Sequence, residues 1–219
     1  LGLPTISLAL ITALLDLPTA MAVLVVPAFC TNIWQGFIGG HLALLSRRLW
    51  PLLLAVIPFV WVGAALSDLF ETVILTQILG GMVVIYTALS FWSVPCSIPL
   101  PLQAWLGPLC GAVNGVLTGL TGSLFLPGVM YLQSIGLSRD QLVQAMGLLF
   151  ALSTLALGIS LQETGRIDAG LWQISGFALL PALFGMHCGK ICRGYLSDDL
   201  FRRVFLSGLA LLGLYIMLV

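Results

Sequence analysis

Residues Gly107 to Gly128 read GPLCGAVNGVLTGLTGSLFLPG. Gly107, Gly111, Gly115 and Gly119 recur every four residues, so on a helix they form one bare stripe that lets another backbone come close. The helical pattern then meets a breaker. Thr118, Gly119, Thr121, Gly122 and Ser123 form a small, polar, flexible run, and Pro127 with Gly128 follows before the apolar pattern resumes through Ile135. In a bilayer such a break leaves backbone groups unpaired, which is tolerated only where protein or a water-filled cavity surrounds them.

The rest of the composition puts this stretch in a membrane. Of 219 residues, 60% are hydrophobic and 7% charged, against about 25% charged in an ordinary soluble domain. Eight Lys and Arg balance eight Asp and Glu, so no basic surface argues for nucleic acid. The five cysteines, Cys30, Cys96, Cys110, Cys188 and Cys192, lie mostly in apolar segments and read as small packing residues. Cys188, Cys192 and His187 have no second pair of ligands nearby, so no metal site and no cofactor is expected.

Apolar segments fall at 2–15, 18–40, 49–66, 72–93, 104–135, 137–161, 169–189 and 200–219. A spanning helix needs about 20 residues, so most cross once, the first is short and the fifth is too long for one straight pass. The connectors between them leave no room for a soluble catalytic domain, and the chain reads as a non-enzyme. It opens at Leu1 without Met, inside an apolar run, so further residues are expected upstream.

An internal repeat follows from the spacing. Asp68-Leu69-Phe70-x-x-Val73-x-Leu75 recurs as Asp199-Leu200-Phe201-x-x-Val204-x-Leu206, and Leu3-Pro4 matches Leu126-Pro127 in the same order. The expected units are a first repeat over 1–93, a linker over 94–103 and a second repeat over 104–219. The first has no counterpart of residues 104–125, so a complete chain is expected to carry a Gly-rich helix before Leu1.

Charge decides how the halves run. If the fifth segment enters and returns, Arg47, Arg48, Arg139, Lys190, Arg193, Arg202 and Arg203 share one side and Arg166 stands opposite, as the positive-inside rule favours. Leu124 to Ile135 is 12 residues, about 18 Å of helix against a core of about 30 Å. A hairpin of partial depth is therefore expected, and each repeat then has an odd number of crossings. The fold class is all-α: a polytopic transmembrane helical bundle of two inverted repeats, each with a Gly/Pro-broken helix hairpin. Such transporters bind solute at the repeat interface near mid-membrane.

The Gly-rich helix, the TG-x-x-G-S-x-x-x-P-type break starting at Thr118, the Gly136-Leu137-Ser138 turn and the second copy of the unit resemble the TauE/SafE sulfite exporter family, also called the toluene sulfonate uptake permease family (TSUP). The resemblance covers nearly the whole chain. The family's break is richer in glycine, often G-x-G-G, where this chain has Ser123 and Leu124. The resemblance implies a carrier of sulfite, sulfonates or related small sulfur-containing anions in the cytoplasmic (inner) membrane. A carrier of a carboxylate or metal ion on the same scaffold is the alternative. The partners expected are that anion and membrane lipid, with a homodimer left open and no nucleic acid.

The residues themselves fit an anion. A half-helix starting near Ser123 would turn free N–H groups and its positive dipole end to the break. Thr118, Thr121 and Ser123 add hydroxyls, Gly122 supplies flexibility, and Asn114 lies one turn before Thr118 on the same face. Thr31, Asn32 and Gln35, near Pro27 in the second segment, present a hydroxyl and amides in hydrocarbon. Gln144, Ser153 and Thr154 sit in the repeat counterpart of that segment. For all of these the bland alternative is interhelical bonding or repair of a helix break. Asp68 and Asp199 read as helix-start carboxylates, and Trp50, Trp92, Trp105 and Trp172 as an interfacial belt.

Overall fold

The computed structural model describes residues 3–92, 97–193 and 198–218. Among these the chain forms helices alone: α1 (Leu3–Leu14), α2 (Leu17–Phe37), α3 (Leu42–Ser67), α4 (Thr72–Trp92), α5 (Leu100–Thr121), α6 (Gly128–Ser134), α7 (Arg139–Glu163), α8 (Ala169–Arg193) and α9 (Asp198–Leu218). Stretches of α2, α3, α4, α7 and α8 are long and apolar enough to cross a membrane. Hydrocarbon leaves helices as the economical way to satisfy backbone groups, which accounts for the architecture.

The most intimate contact joins α3 to α5, and the glycine stripe makes it. A Cβ on Gly111, Gly115 or Gly119 would overlap the carbonyl oxygen of Leu52, Val56 or Val60 in turn, and one on Gly63 would overlap that of Val116. Bare glycines let the two backbones touch, as small-residue stripes do between membrane helices. The register shows that α3 and α5 run in the same direction.

The return of the chain is equally clear. Arg48, near the start of α3, donates to Gln103 Oε1 at 3.0 Å in the first turn of α5 and to the Ile135 carbonyl at 2.5 Å just after α6. Ile98 N–H donates to the Ser134 carbonyl at 2.8 Å, and the Tyr131 hydroxyl to the Gln103 carbonyl at 3.1 Å. The end of α6 thus lies beside the start of α5, and residues 104–135 form a hairpin, not one rod. Its turn sits inside the bundle: Thr121 Oγ1 lies 3.9 Å from the sulfur of Met82, at the middle of α4.

Two ends of the bundle follow. Arg47, Arg48 and Arg139 stand at the end where α3, α5 and α7 begin. Arg166 stands at the other, bonded to Asp68 and, at 2.8 Å, to Ser67 Oγ. Around this core α2 packs on α7 and α8, α7 on α2 and α3, and α4 on α9. α2 and α7 cross backbone to backbone at Gly36 and Gly147.

Several sequence expectations shift. The stretch between the second and third apolar segments is helical from Leu42 onward, because α3 begins there and Arg is a good helix former. The expected linker lies outside the described residues at 94–96, while Leu100–Gln103 already belongs to α5. Asp68 does not begin a helix: it is the C-cap of α3, and its carboxylate serves Arg166. Trp50 and Trp105 are exposed. The side chains of Trp92, His187, Lys190, Cys192, Arg193, Asp199 and Arg202, and all of Cys96, lie outside the described residues.

Candidate functional site

α5 ends at Thr121 because Gly122 turns left-handed, with φ 71°, a conformation glycine adopts without steric cost. Its N–H closes on the Thr118 carbonyl at 2.8 Å. Residues 123–125 lie outside any helix, the Leu126–Pro127 peptide is cis, and α6 begins at Gly128. Thr118 through Leu126 are continuously buried, so the break is enclosed by protein.

Side chains hold it together. Asn114 Oδ1 accepts from Gly128 N–H at 3.2 Å, spanning the hairpin. The Thr118 hydroxyl is shared between the carbonyls of Asn114 and Ser123, each at 2.8 Å. Thr121 Oγ1 donates to the Leu117 carbonyl at 2.8 Å and accepts from Ser123 N–H at 3.3 Å. Thr118 and Thr121 therefore repair the break. Because Asn114 Oδ1 is fixed by the Gly128 amide, its Nδ2 is the free end, and it has no partner. The Ser123 hydroxyl is likewise buried and unpartnered. An unmet buried donor costs about 1–3 kcal/mol, so each marks a place where a ligand acceptor would be stabilising.

The expectation of a half-helix starting near Ser123 is corrected in its starting point. The helix starts five residues later and is 7 residues long. The amides of Ser123, Gly128 and Val129 already have acceptors, the last in the Phe125 carbonyl at 2.9 Å. Among the side chains at the break, Asn114 Nδ2 and the Ser123 hydroxyl are the unpartnered donors.

The α2 group separates. The Thr31 hydroxyl folds back on its own helix, to the carbonyls of Pro27 at 2.8 Å and Ala28 at 3.1 Å. Gln35 Nε2 donates to the Val143 carbonyl at 2.7 Å. Gln144 Nε2 donates to the Gly36 carbonyl at 2.9 Å, and its Oε1 accepts from His41 N–H at 3.0 Å. These two glutamines tie α2 to α7 at the Arg48 end, away from the break. Asn32 is different: it is buried, and its Nδ2 is unpartnered. So are the hydroxyls of Ser153 and Thr154, and of Thr12 and Ser160, which the sequence reading passed over.

Next to the break, Leu8, Met21, Leu24, Val25, Ala28, Gly122, Leu124, Thr154 and Leu157 line a cavity of about 20 Å³, room for about one water. Tyr86 meets Phe125 edge to face with ring centroids 4.9 Å apart, closing the break on the α4 side. In this conformation the space beside the break is too small for an oxyanion, and in that sense it is shut. Among the described residues no three His, Cys, Asp or Glu side chains come together.

Ser175 of α8 was also missed. Its hydroxyl donates to the Val23 carbonyl at 2.9 Å and accepts from Val26 N–H at 3.0 Å. Pro27 has no N–H, so the Val23 carbonyl needs another donor, and that requirement was the signal available in the sequence.

Comparison with known proteins bears on the same residues. No curated protein and no solved structure matches the chain. The family model for the sulfite exporter TauE/SafE matches residues 1–216, which include both limbs of the hairpin and every helix through most of α9. The all-helical, multi-pass bundle built on that hairpin therefore belongs to the TauE/SafE sulfite exporter family, a family of membrane transporters.

Proposed function

We propose that this chain carries a small sulfur-containing anion, sulfite or a sulfonate, across the cytoplasmic membrane by alternating access between two inverted repeats, residues 1–93 and 104–219. One observation carries the choice of an anion: the unmet side-chain groups at the break include two donors, Asn114 Nδ2 and the Ser123 hydroxyl. A donor needs an acceptor-rich guest, and a sulfur oxyanion offers three or more oxygens. A metal cation would need lone pairs or thiolates aimed inward.

The packing supports the repeat reading. The matched sequence pairs α2 with α7, α3 with α8 and α4 with α9. The contact of α2 on α8 then has its partner in that of α7 on α3, while α2 meets α7 and α4 meets α9 across the centre. α2 leaves the Arg166 end and α7 leaves the Arg48 end, which is the relation an inverted pair requires. The arginine-rich end faces the cytoplasm on the positive-inside rule. The shut cavity is one state of the cycle, and opening it admits the anion.

The test is uptake into sealed vesicles holding the purified full-length protein, comparing sulfite, thiosulfate, taurine and sulfoacetate with sulfate, acetate and a divalent cation. Transport of at least one sulfur anion, lost in Ser123→Leu, is expected. Transport of acetate or the cation alone overturns the assignment.

A further inference from the structure

Helix α8 is the most outward of the apolar spans, with Ile174, Phe177, Leu180 and Phe184 exposed. Among the described side chains of α8, the one fully buried polar group is Ser175, which bonds to α2 where Pro27 interrupts the helical bonding. A proline inside a helix removes one backbone bond and clashes with the preceding turn, so α2 has an intrinsic bending point here. Ser175 bridges that point twice, replacing the missing donor to Val23 and giving Val26 N–H an acceptor.

What lies on either side of the bend gives it meaning. The turn before Pro27 supplies Met21, Leu24 and Val25 to the small cavity at the break, and Ala28 just after Pro27 completes that wall. Asn32, with its free Nδ2, lies one turn further on. A change of angle at Pro27 therefore moves the cavity wall relative to Asn32 without disturbing Gln35 and Gln144, which fasten the far end of α2.

We propose that α2 is a moving element of the transport cycle, hinged at Pro27, and that Ser175 is the positioning residue whose hydroxyl holds it shut. The idea rests on the transport reading for its purpose, but its physical content is a movement that can be followed with no substrate present. The hydroxyl is exchangeable by design: when α2 bends, the Val23 carbonyl and Val26 N–H give up Ser175, and both return to it on closing.

The experiment uses Met21→Cys in the full chain with Cys30, Cys96, Cys110, Cys188 and Cys192 replaced by Ala, reconstituted in sealed vesicles. A membrane-impermeant maleimide is applied to the Arg166 side. Met21 is buried in the shut cavity, so labelling is expected to be slow. Ser175→Ala is expected to speed labelling at least about threefold. Adding Pro27→Ala, which restores the N–H donor to Val23, should return the rate to its starting value or below. An unchanged rate in Ser175→Ala, or a double variant that stays fast, overturns the proposal. If Ser175→Ala does not fold, Pro27→Ala alone decides: labelling should slow about threefold, and an unchanged rate refutes the hinge. Sulfite uptake in the same vesicles is read separately, so loss of the transport assignment is not confused with loss of the hinge.

Discussion

The side-chain oxygen of Asn114 accepts from the backbone N–H of Gly128, 14 residues on, at 3.2 Å, so one residue closes the hairpin while its Nδ2 stays buried without a partner. The two jobs separate by substitution. Asn114→Asp keeps the acceptor and the shape while removing the free donor and adding negative charge. Hydrogen bonds to charged groups are worth about 1.5–3 kcal/mol, so anion uptake is expected to fall ~10-fold or more, while the buried carboxyl lowers the melting temperature less than Asn114→Leu does because the bond from Gly128 N–H is kept. Asn114→Leu should lose both uptake and stability. Normal uptake by Asn114→Asp vesicles removes this residue from the site.

Ser123 and Thr118 make a contrasting pair. The Ser123 hydroxyl has no protein partner, so Ser123→Ala removes no bond from the shut state and should leave thermal stability unchanged while lowering uptake. The Thr118 hydroxyl supplies the buried Ser123 carbonyl, so Thr118→Val strands that acceptor at a cost of about 1–3 kcal/mol. Uptake and thermal unfolding in detergent, measured on both variants, should show opposite patterns. Equal destabilisation by both changes would contradict the assigned roles.

How much of this the sequence held depends on the range of each interaction. The glycine period of 107–119 names its own face, and Gly122 with Pro127 marks a stop, because both signals are local. The hairpin followed from adding loop charges to helix length, two quantities that survive ignorance of packing. What was not legible is which polar side chain ends up with a partner. Thr31 and Asn32 are neighbours in sequence, yet one bonds its own helix and the other has a free amide, a difference that side-chain type alone does not foretell. Gln35 and Gln144 looked like lining residues because an amide in hydrocarbon needs a partner, and the partners proved to be backbone carbonyls across the α2–α7 crossing. Ser175 was hidden because one hydroxyl in an apolar run resembles packing until Val23 is asked where its bond goes.

The glycine stripe should tolerate change unevenly. At Gly111, Gly115 and Gly119 an added methyl overlaps a backbone carbonyl of α3, which a rotamer change cannot relieve. At Gly107 it meets only the Tyr131 hydroxyl, at 3.1 Å, at the end of a side chain that can give way. Gly115→Ala is expected to cost about 1–3 kcal/mol, the range for forcing extra carbon into a packed interface, and Gly107→Ala less than 1. Thermal unfolding of the four Ala variants measures this order. A stripe in which Gly107→Ala is the worst would show that α3 and α5 do not touch as described.

Asp16 gives stability a pH dependence with a definite sign. It caps α2, accepting from the Thr19 N–H at 2.8 Å and the Thr19 hydroxyl at 2.9 Å. The Thr19 backbone N–H, foremost, holds the Asp16 carboxyl below its usual value of 3.8, with partial burial opposing and the Thr19 hydroxyl assisting. A carboxyl whose folded value is depressed contributes stability that is fully present above the unfolded value and is lost as pH falls through the folded one. The Asp16 share should thus be constant at neutral pH and disappear below about 3.8. Asp16→Asn keeps a capping oxygen without a charge, and Asp16→Ala removes the cap at a cost of typically about 1 kcal/mol at any pH above that window. Melting temperatures of the native, Asn and Ala proteins between neutral and strongly acidic pH isolate the term by difference. The gap between native and Ala should close on acidification while that between Asn and Ala stays open. A native–Ala gap that persists unchanged at the acid end means the charged form of Asp16 is not what the cap prefers.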